Sequence, residues 1–460
     1  MSLSDDTPPG PPPQSRASDA VFYVVAIIIG AVTGVLGTAL HLGVNRALEW
    51  PLLLRAHVGP GVDEAHFLLM TGAIAAALVV VSVWLVRTFA PEAGGSGVQE
   101  IEGAMEGLRT VRWQRILPVK FFGGLLSLGS GLVVGREGPT IHMGASVAQA
   151  ASEGLRLPAR ENRGLLAAGA AAGLAAAFSA PVASILFVIE ETRRQFPYSL
   201  KTYTGVMLAS VTSGVVTQSI VGPRPFMAIQ VADVPLAFLP AFVMLGIVLG
   251  FMGVVFNRCL VWSMDLSLGI GRRSSFYIVP ALVGFAVGVL LVLRPEATMG
   301  GDMLAISLVT ENLPLATMAI IVVIRFAMTM ASYSTGVPGG IFAPILAMAT
   351  AFGLLFALGL ELLMPLPPGA AAALAVAAMG GLFSATIRAP LVGVVLIAEL
   401  TGAYAVMVPV LITCLFANFV ADWLGGRPIY EVLLERTLRL AGENPPPAPK
   451  SPQIAGWDQR

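Results

Sequence analysis

The chain has 460 residues, 56% of them apolar and only 12% charged, against the roughly 25% charged residues of soluble domains. That composition excludes a water-soluble globule. The 27 basic and 27 acidic side chains cancel, which gives nucleic acid or an anionic surface no electrostatic reason to bind.

Taken in chain order, residues 1–20 are Pro-rich, carry Asp5 and Asp6 and lack a basic leader, so they read as a disordered tail and not as a cleaved signal. The first membrane helix is expected near Val21. Apolar runs then recur at Ile74–Val86, Leu236–Phe256, Ile278–Leu293, Met318–Ile324 and Ala370–Met379. They predict helices in lipid, and the fold class is an all-α polytopic membrane protein. A square crossing needs about 20 apolar residues, and many runs are shorter or broken by the 50 glycines and 33 prolines. Tilted, unequal and partly re-entrant helices are therefore expected. Cys259 and Cys414 lie in apolar runs and read as core fillers, not as a disulfide or metal pair. Arg427, Arg436 and Arg439 follow the last apolar run and favour a cytoplasmic C-terminus. A second Pro-rich tail, 441–460, closes the chain.

Two halves, 21–222 and 223–440, echo one another. Gly135-Arg136-Glu137-Gly138-Pro139 is answered by Gly340-Ile341-Phe342-Ala343-Pro344. Downstream, small residues lead into Ala180-Pro181 and on to Glu190 and Glu191; their counterparts lead into Ala389-Pro390 and Glu399. Transporters built from two such halves place substrate between short helices whose N-termini meet at mid-membrane.

Three Gly-rich loops open helices in this pattern: Gly94-Gly95-Ser96-Gly97, Gly135–Pro139 and Gly339–Pro344. Where a loop opens a helix, the first amide N–H groups lack chain partners and point outward with the positive end of the dipole. Such ends bind anions without a full positive charge that would hold them too tightly to release. Glu137 sits in one of these turns. An ionised carboxylate in the membrane is costly, so Glu137 is either neutral, paired with Arg136, or seated in the amide cradle that would hold an anion. In the last case carboxylate and anion compete for one site, and a displaced Glu137 can take a proton.

These residues resemble the CLC chloride channels and transporters, most closely the bacterial chloride/proton exchangers, over about Val21 to Leu440. Gly95-Ser96-Gly97-Val98-Gln99 is similar to the family's Gly-Ser-Gly-Ile-Pro signature, with Gln99 in place of proline; Gly135–Pro139 and Gly340–Pro344 match the two others in full. The resemblance implies two inverted-topology repeats, one pore in each subunit of a homodimer, and a bacterial inner (plasma) membrane with both termini cytoplasmic. It implies selectivity loops carrying Gly95, Gly97, Gly135, Arg136, Gly138, Pro139, Gly340 and Pro344. Chloride would be bound by Ser96, Tyr430 and the amides of Ile341 and Phe342. Glu137 would be the external gating and proton-transfer glutamate, and Glu191 the internal proton-transfer glutamate. The expected activity is electrogenic chloride/proton antiport; a passive chloride channel of the same fold stays open.

Other chemistries fail on their patterns. No phosphate-binding Gly-x-x-x-x-Gly-Lys-Ser/Thr occurs, and the chain's lysines are Lys120, Lys201 and Lys450, so a nucleotide-driven pump is excluded. An intramembrane protease using Ser96 and His142 would need glycine at Val98, and His-Glu-x-x-His is absent. The remaining histidines, His41, His57 and His66, fall in or near an early loop. The chain is expected to be no enzyme, to need no cofactor or metal, and to have chloride, protons and the lipid bilayer as partners.

Overall fold

A computed structural model describes residues 16–59, 61–223, 225–310 and 313–443. The first nine helices are α1 (Arg16–Ala47), α2 (Trp50–Val58), α3 (Glu64–Phe89), α4 (Val98–Glu106), α5 (Trp113–Gly129), α6 (Glu137–Gly154), α7 (Ala159–Phe178), α8 (Pro181–Glu191) and α9 (Leu200–Val221). The second series is α10 (Leu239–Arg273), α11 (Ile278–Leu293), α12 (Asp302–Thr310), α13 (Leu315–Ser334), α14 (Phe342–Glu361), α15 (Ala370–Ile387), α16 (Pro390–Thr401) and α17 (Met407–Trp423), followed by α18 (Ile429–Ala441). Among the described residues the only β pairing is two isolated bridges, Gly95 with Pro338 and Gly135 with Gly340.

Helix lengths are as unequal as the broken apolar runs predict. At 1.5 Å per residue, the 35 residues of α10 span about 52 Å and the nine of α4 about 14 Å, against a hydrocarbon layer of about 30 Å. Thus α10 must tilt or protrude, and α4 must end inside the protein. Eight helices among the described residues are long and apolar enough to cross. One boundary differs from expectation: α1 begins at Arg16, because Asp19 and the residues around it continue the helical register upstream of Val21. Residues 1–15 and the tail from 444 onward lie outside the described residues.

The repeat is physical, and it is inverted. Gly135 N–H donates to Gly340 O at 2.8 Å and Gly340 N–H to Gly135 O at 2.7 Å. Two counterpart residues exchange bonds in this way only across a two-fold axis. The same exchange recurs at the short helices. Glu399 of α16 accepts from the N–H groups of Val182 and Ala183 at the start of α8 (3.2 and 2.7 Å), while Glu190 of α8 accepts from Leu391 and Val392 at the start of α16 (3.4 and 2.9 Å). Each half therefore caps the other's helix N-terminus with a carboxylate, the charge that end favours. Direction settles the inversion. Helix α7 starts beside Arg109, where Asn162 lines a cavity with it, and ends with Phe178 at a cavity on the far side. Its counterpart α15 ends with Ile387 beside α18, on the side where α7 starts.

Close packing rests on small residues, as in other lipid-embedded bundles. Gly144 of α6 and Gly169 of α7 approach until a Cβ on either would strike the other's carbonyl oxygen.

Candidate ion-binding site

The three loops expected to open helices do so: α4, α6 and α14 begin at Val98, Glu137 and Phe342. All three meet at the bridges between the halves, which puts Ser96, Glu137 and Phe342 together in the protein's centre, each fully buried.

Glu137 occupies the amide cradle. Its Oε1 accepts the N–H of Phe342, the first residue of α14, at 2.7 Å. This amide is one of the two assigned to chloride by sequence resemblance. Pairing with Arg136 is not what holds the carboxylate. Arg136 turns away, donating from Nε to Ala177 O at 3.2 Å, contacting His41 Nδ1, and stacking on Phe226 at 4.3 Å. His41 accordingly belongs to α1, not to a loop. Gly135 and Gly340 flank the cradle, and a Cβ on either would collide with the Glu137 carboxylate. Glycine at both positions is thus what lets the side chain in.

Beyond the cradle lie two hydroxyls without protein partners. The Oγ of Ser96 and the OH of Tyr430 are buried near one another, and neither makes a hydrogen bond of normal geometry to the protein. A buried polar group left unpaired costs about 1–3 kcal/mol, so two neighbouring hydroxyl donors suit a bound anion. The wall opposite is aromatic: Phe342 packs on Phe383 (4.9 Å between centroids), Phe187 (5.3 Å) and Tyr430 (6.0 Å).

Buried cations set the loops, and sequence reasoning missed them. Lys120 on α5 is fully buried and donates to Gly95 O (2.8 Å) and Ser96 O (3.0 Å). With both carbonyls turned towards Lys120, the loop's amides and the Ser96 hydroxyl are left for the centre. Arg325 on α13, at the equivalent position of the second half, grips Thr298 O (2.7 Å), Met299 O (3.3 Å) and Gly300 O (2.9 Å). Both segments gripped follow a Pro-Glu-Ala turn, Pro91–Ala93 and Pro295–Ala297; that repeated triplet was the available signal.

Three cavities approach this centre. On the side carrying α18, one of about 530 Å³ runs to Gly94, Gly95 and Tyr333, whose hydroxyl accepts the Ser96 N–H at 3.3 Å. Four arginines line it against two glutamates. A separate cavity of about 140 Å³ on the same side is acidic, with six glutamates against three arginines, and ends at Glu191 and Glu102. Glu102, on α4, faces Glu191 and was not singled out by sequence; an acid in the middle of a buried nine-residue helix was the clue. From the opposite side a cavity of about 130 Å³ reaches Gly135, Arg136 and Ala343, beside the cradle. Glu191 does not touch Glu137. One turn up α8, Phe187 packs on Phe342, so a ring layer stands between the acidic cavity and the cradle.

The family described as "Voltage gated chloride channel" matches residues 77–422. The H(+)/Cl(-) exchange transporter ClcA of Vibrio parahaemolyticus is 40% identical over 427 residues, 90% of each chain. That of Yersinia pseudotuberculosis is 41% identical, covering 91% of this chain and 88% of its own. Among solved structures, a slow cyanobacterial Cl−/H+ antiporter superposes with a TM-score of 0.86 at 37% identity, covering 92% of this chain and 99% of its own. A CLC-type fluoride/proton antiporter, at 18% identity and a TM-score of 0.70, shares the fold.

Proposed function

We propose, from the premise that the chain belongs to the voltage-gated chloride channel family, that Glu137 and chloride compete for one amide cradle and that this competition couples the two ions. The protein is a secondary active chloride/proton antiporter, as its 40%-identical relatives and the matching antiporter structure indicate over a channel. The observation that carries the mechanism is the 2.7 Å bond from Phe342 N–H to Glu137 Oε1. Chloride passes from the basic cavity to Ser96 and Tyr430. Moving on towards Ile341 and Phe342, it displaces the carboxylate, which then accepts a proton. When chloride leaves, the carboxylate returns to the cradle and the proton is released.

Protons take a different path on the α18 side, through the acidic cavity to Glu191 with Glu102 beside it. Opposite cavity charge supports the division: cations are drawn to one mouth and anions to the other. Chloride leaving while a proton enters moves charge the same way twice, so exchange is electrogenic, each charge being worth about 2.3 kcal/mol per 100 mV.

The functional unit in this reading is a homodimer in a bacterial inner membrane, with the α18 side cytoplasmic and the repeats running 21–222 and 223–440. Support for a dimer face comes from the outward apolar side chains Leu415, Phe419 and Trp423 on α17. Glu137→Ala tests the coupling. Purified protein in liposomes should keep chloride flux and lose proton movement; a variant that still pumps protons would refute the role.

A further inference from the structure

We infer that Gln99 is a specificity-determining anion contact of this chain: its carboxamide is the donor an anion meets between the basic cavity and Ser96. The inference rests on the exchanger reading above and adds to it a residue absent from the family signature, which has proline at this point.

Three observations converge. Gln99 lies in the first turn of α4, is 7% exposed, and lines the 530 Å³ cavity. Its Nε2 stands at the cavity's blind end: a methyl built on Gly95 would lie 3.8 Å from Nε2 and 3.2 Å from the Tyr333 hydroxyl. The other end of the amide, Oε1, is buried without a partner, whereas Nε2 is not buried in this way and makes no hydrogen bond among the described residues, which leaves the N–H side for the cavity.

The main chain adds a second donor. The earliest helical bonds of α4 run from Glu100 and Ile101 N–H to Gly97 O, which leaves the preceding amides of Val98 and Gln99 outside the helix's own bonding. Proline at 99 would have no N–H. Glutamine therefore places both a main-chain and a side-chain N–H where the signature residue offers neither. The cavity's arginines do not substitute for it. Arg109 is tied to Glu100 (2.9 Å), Arg112 to Glu92 (2.6 Å) and Arg436 to Asp265 (2.8 Å), and Arg87 stacks over the Phe276 ring at 3.7 Å, so each arginine is engaged away from Ser96 and the throat depends on neutral donors.

The test is chloride binding to the purified full-length protein by titration calorimetry, with the thermal midpoint of each variant checked. Gln99→Met keeps length and packing and loses the donor; its affinity should fall by about tenfold, the lower end for a hydrogen bond to a charged partner. Gln99→Glu keeps shape and reverses the polarity of the group, and should weaken binding further at pH 8. Gln99→Leu serves in place of either if it fails to fold. Variants that bind chloride within twofold of the parent would overturn the inference. A parent that binds no chloride would overturn the exchanger reading along with it.

Discussion

Gly135→Ala separates the seating of the gating carboxylate from its chemistry. The backbone of Gly135 is not in the left-handed region, so alanine is conformationally acceptable there. The three atoms nearest to an added Cβ all belong to the Glu137 carboxylate. The methyl therefore collides first with that side chain and displaces it. What is lost is the 2.7 Å charge-assisted bond to Phe342 N–H, worth about 1.5–3 kcal/mol. At 1.4 kcal/mol per factor of ten, the balance between seated and displaced carboxylate moves by roughly 10- to 100-fold. Chloride competes for the same amide and would meet the same methyl, so its affinity at the cradle should fall together with the proton-to-chloride flux ratio. Calorimetry and paired ion fluxes in liposomes read both. A Gly135→Ala/Glu137→Ala double variant set against Glu137→Ala alone supplies the control: with no carboxylate to expel, only the loss of chloride affinity caused by the methyl should remain. Unaltered chloride affinity and coupling in Gly135→Ala, in correctly folded protein, would refute competition for a shared cradle.

Glu191→Gln should stop proton movement and leave chloride flux running; retained coupling would move the internal proton site elsewhere, with Glu102 the next candidate. Lys120→Met strips the partner from Gly95 O and Ser96 O, at about 1–3 kcal/mol for each orphaned carbonyl. Its thermal midpoint and chloride affinity should both drop, and wild-type affinity would show that the Ser96 loop holds itself. On α18, outside the membrane spans, Arg427 followed by Arg439 holds the Glu435 carboxyl below its ordinary range. A depressed folded pKa contributes stability above the ordinary value of 4.5 that is lost as pH falls through the lowered one. The thermal midpoints of the parent and Arg427→Met should therefore converge on acidification below that value; a gap independent of pH would mean the pair does not stabilise the helix.

Much of the site was legible because its chemistry is local. A glycine turn opening a helix exposes amides wherever it occurs, and the signature around Glu137 said that a carboxylate stood at one. Which amide it uses was not legible, since Phe342 lies 205 residues away. The echo of Gly135 in Gly340 was visible, but the reciprocal bonds that reveal inversion need the fold. Lys120 and Arg325 escaped notice because their partners are carbonyls, which every residue has, and no carboxylate nearby in sequence marks them. The cross-capping by Glu190 and Glu399 was hidden for a similar reason: each acid ends its own helix and serves the start of another. The early start of α1 at Arg16 reflects polar residues continuing a helix past its apolar part, where hydropathy gives no boundary.

The most direct test of the whole account is paired measurement of chloride and proton flux in liposomes holding the purified protein and a chloride gradient. Chloride running down its gradient should drive protons uphill, with a ratio that holds steady as the gradient is varied. Brisk chloride flux with no proton movement would contradict it and make the protein a channel.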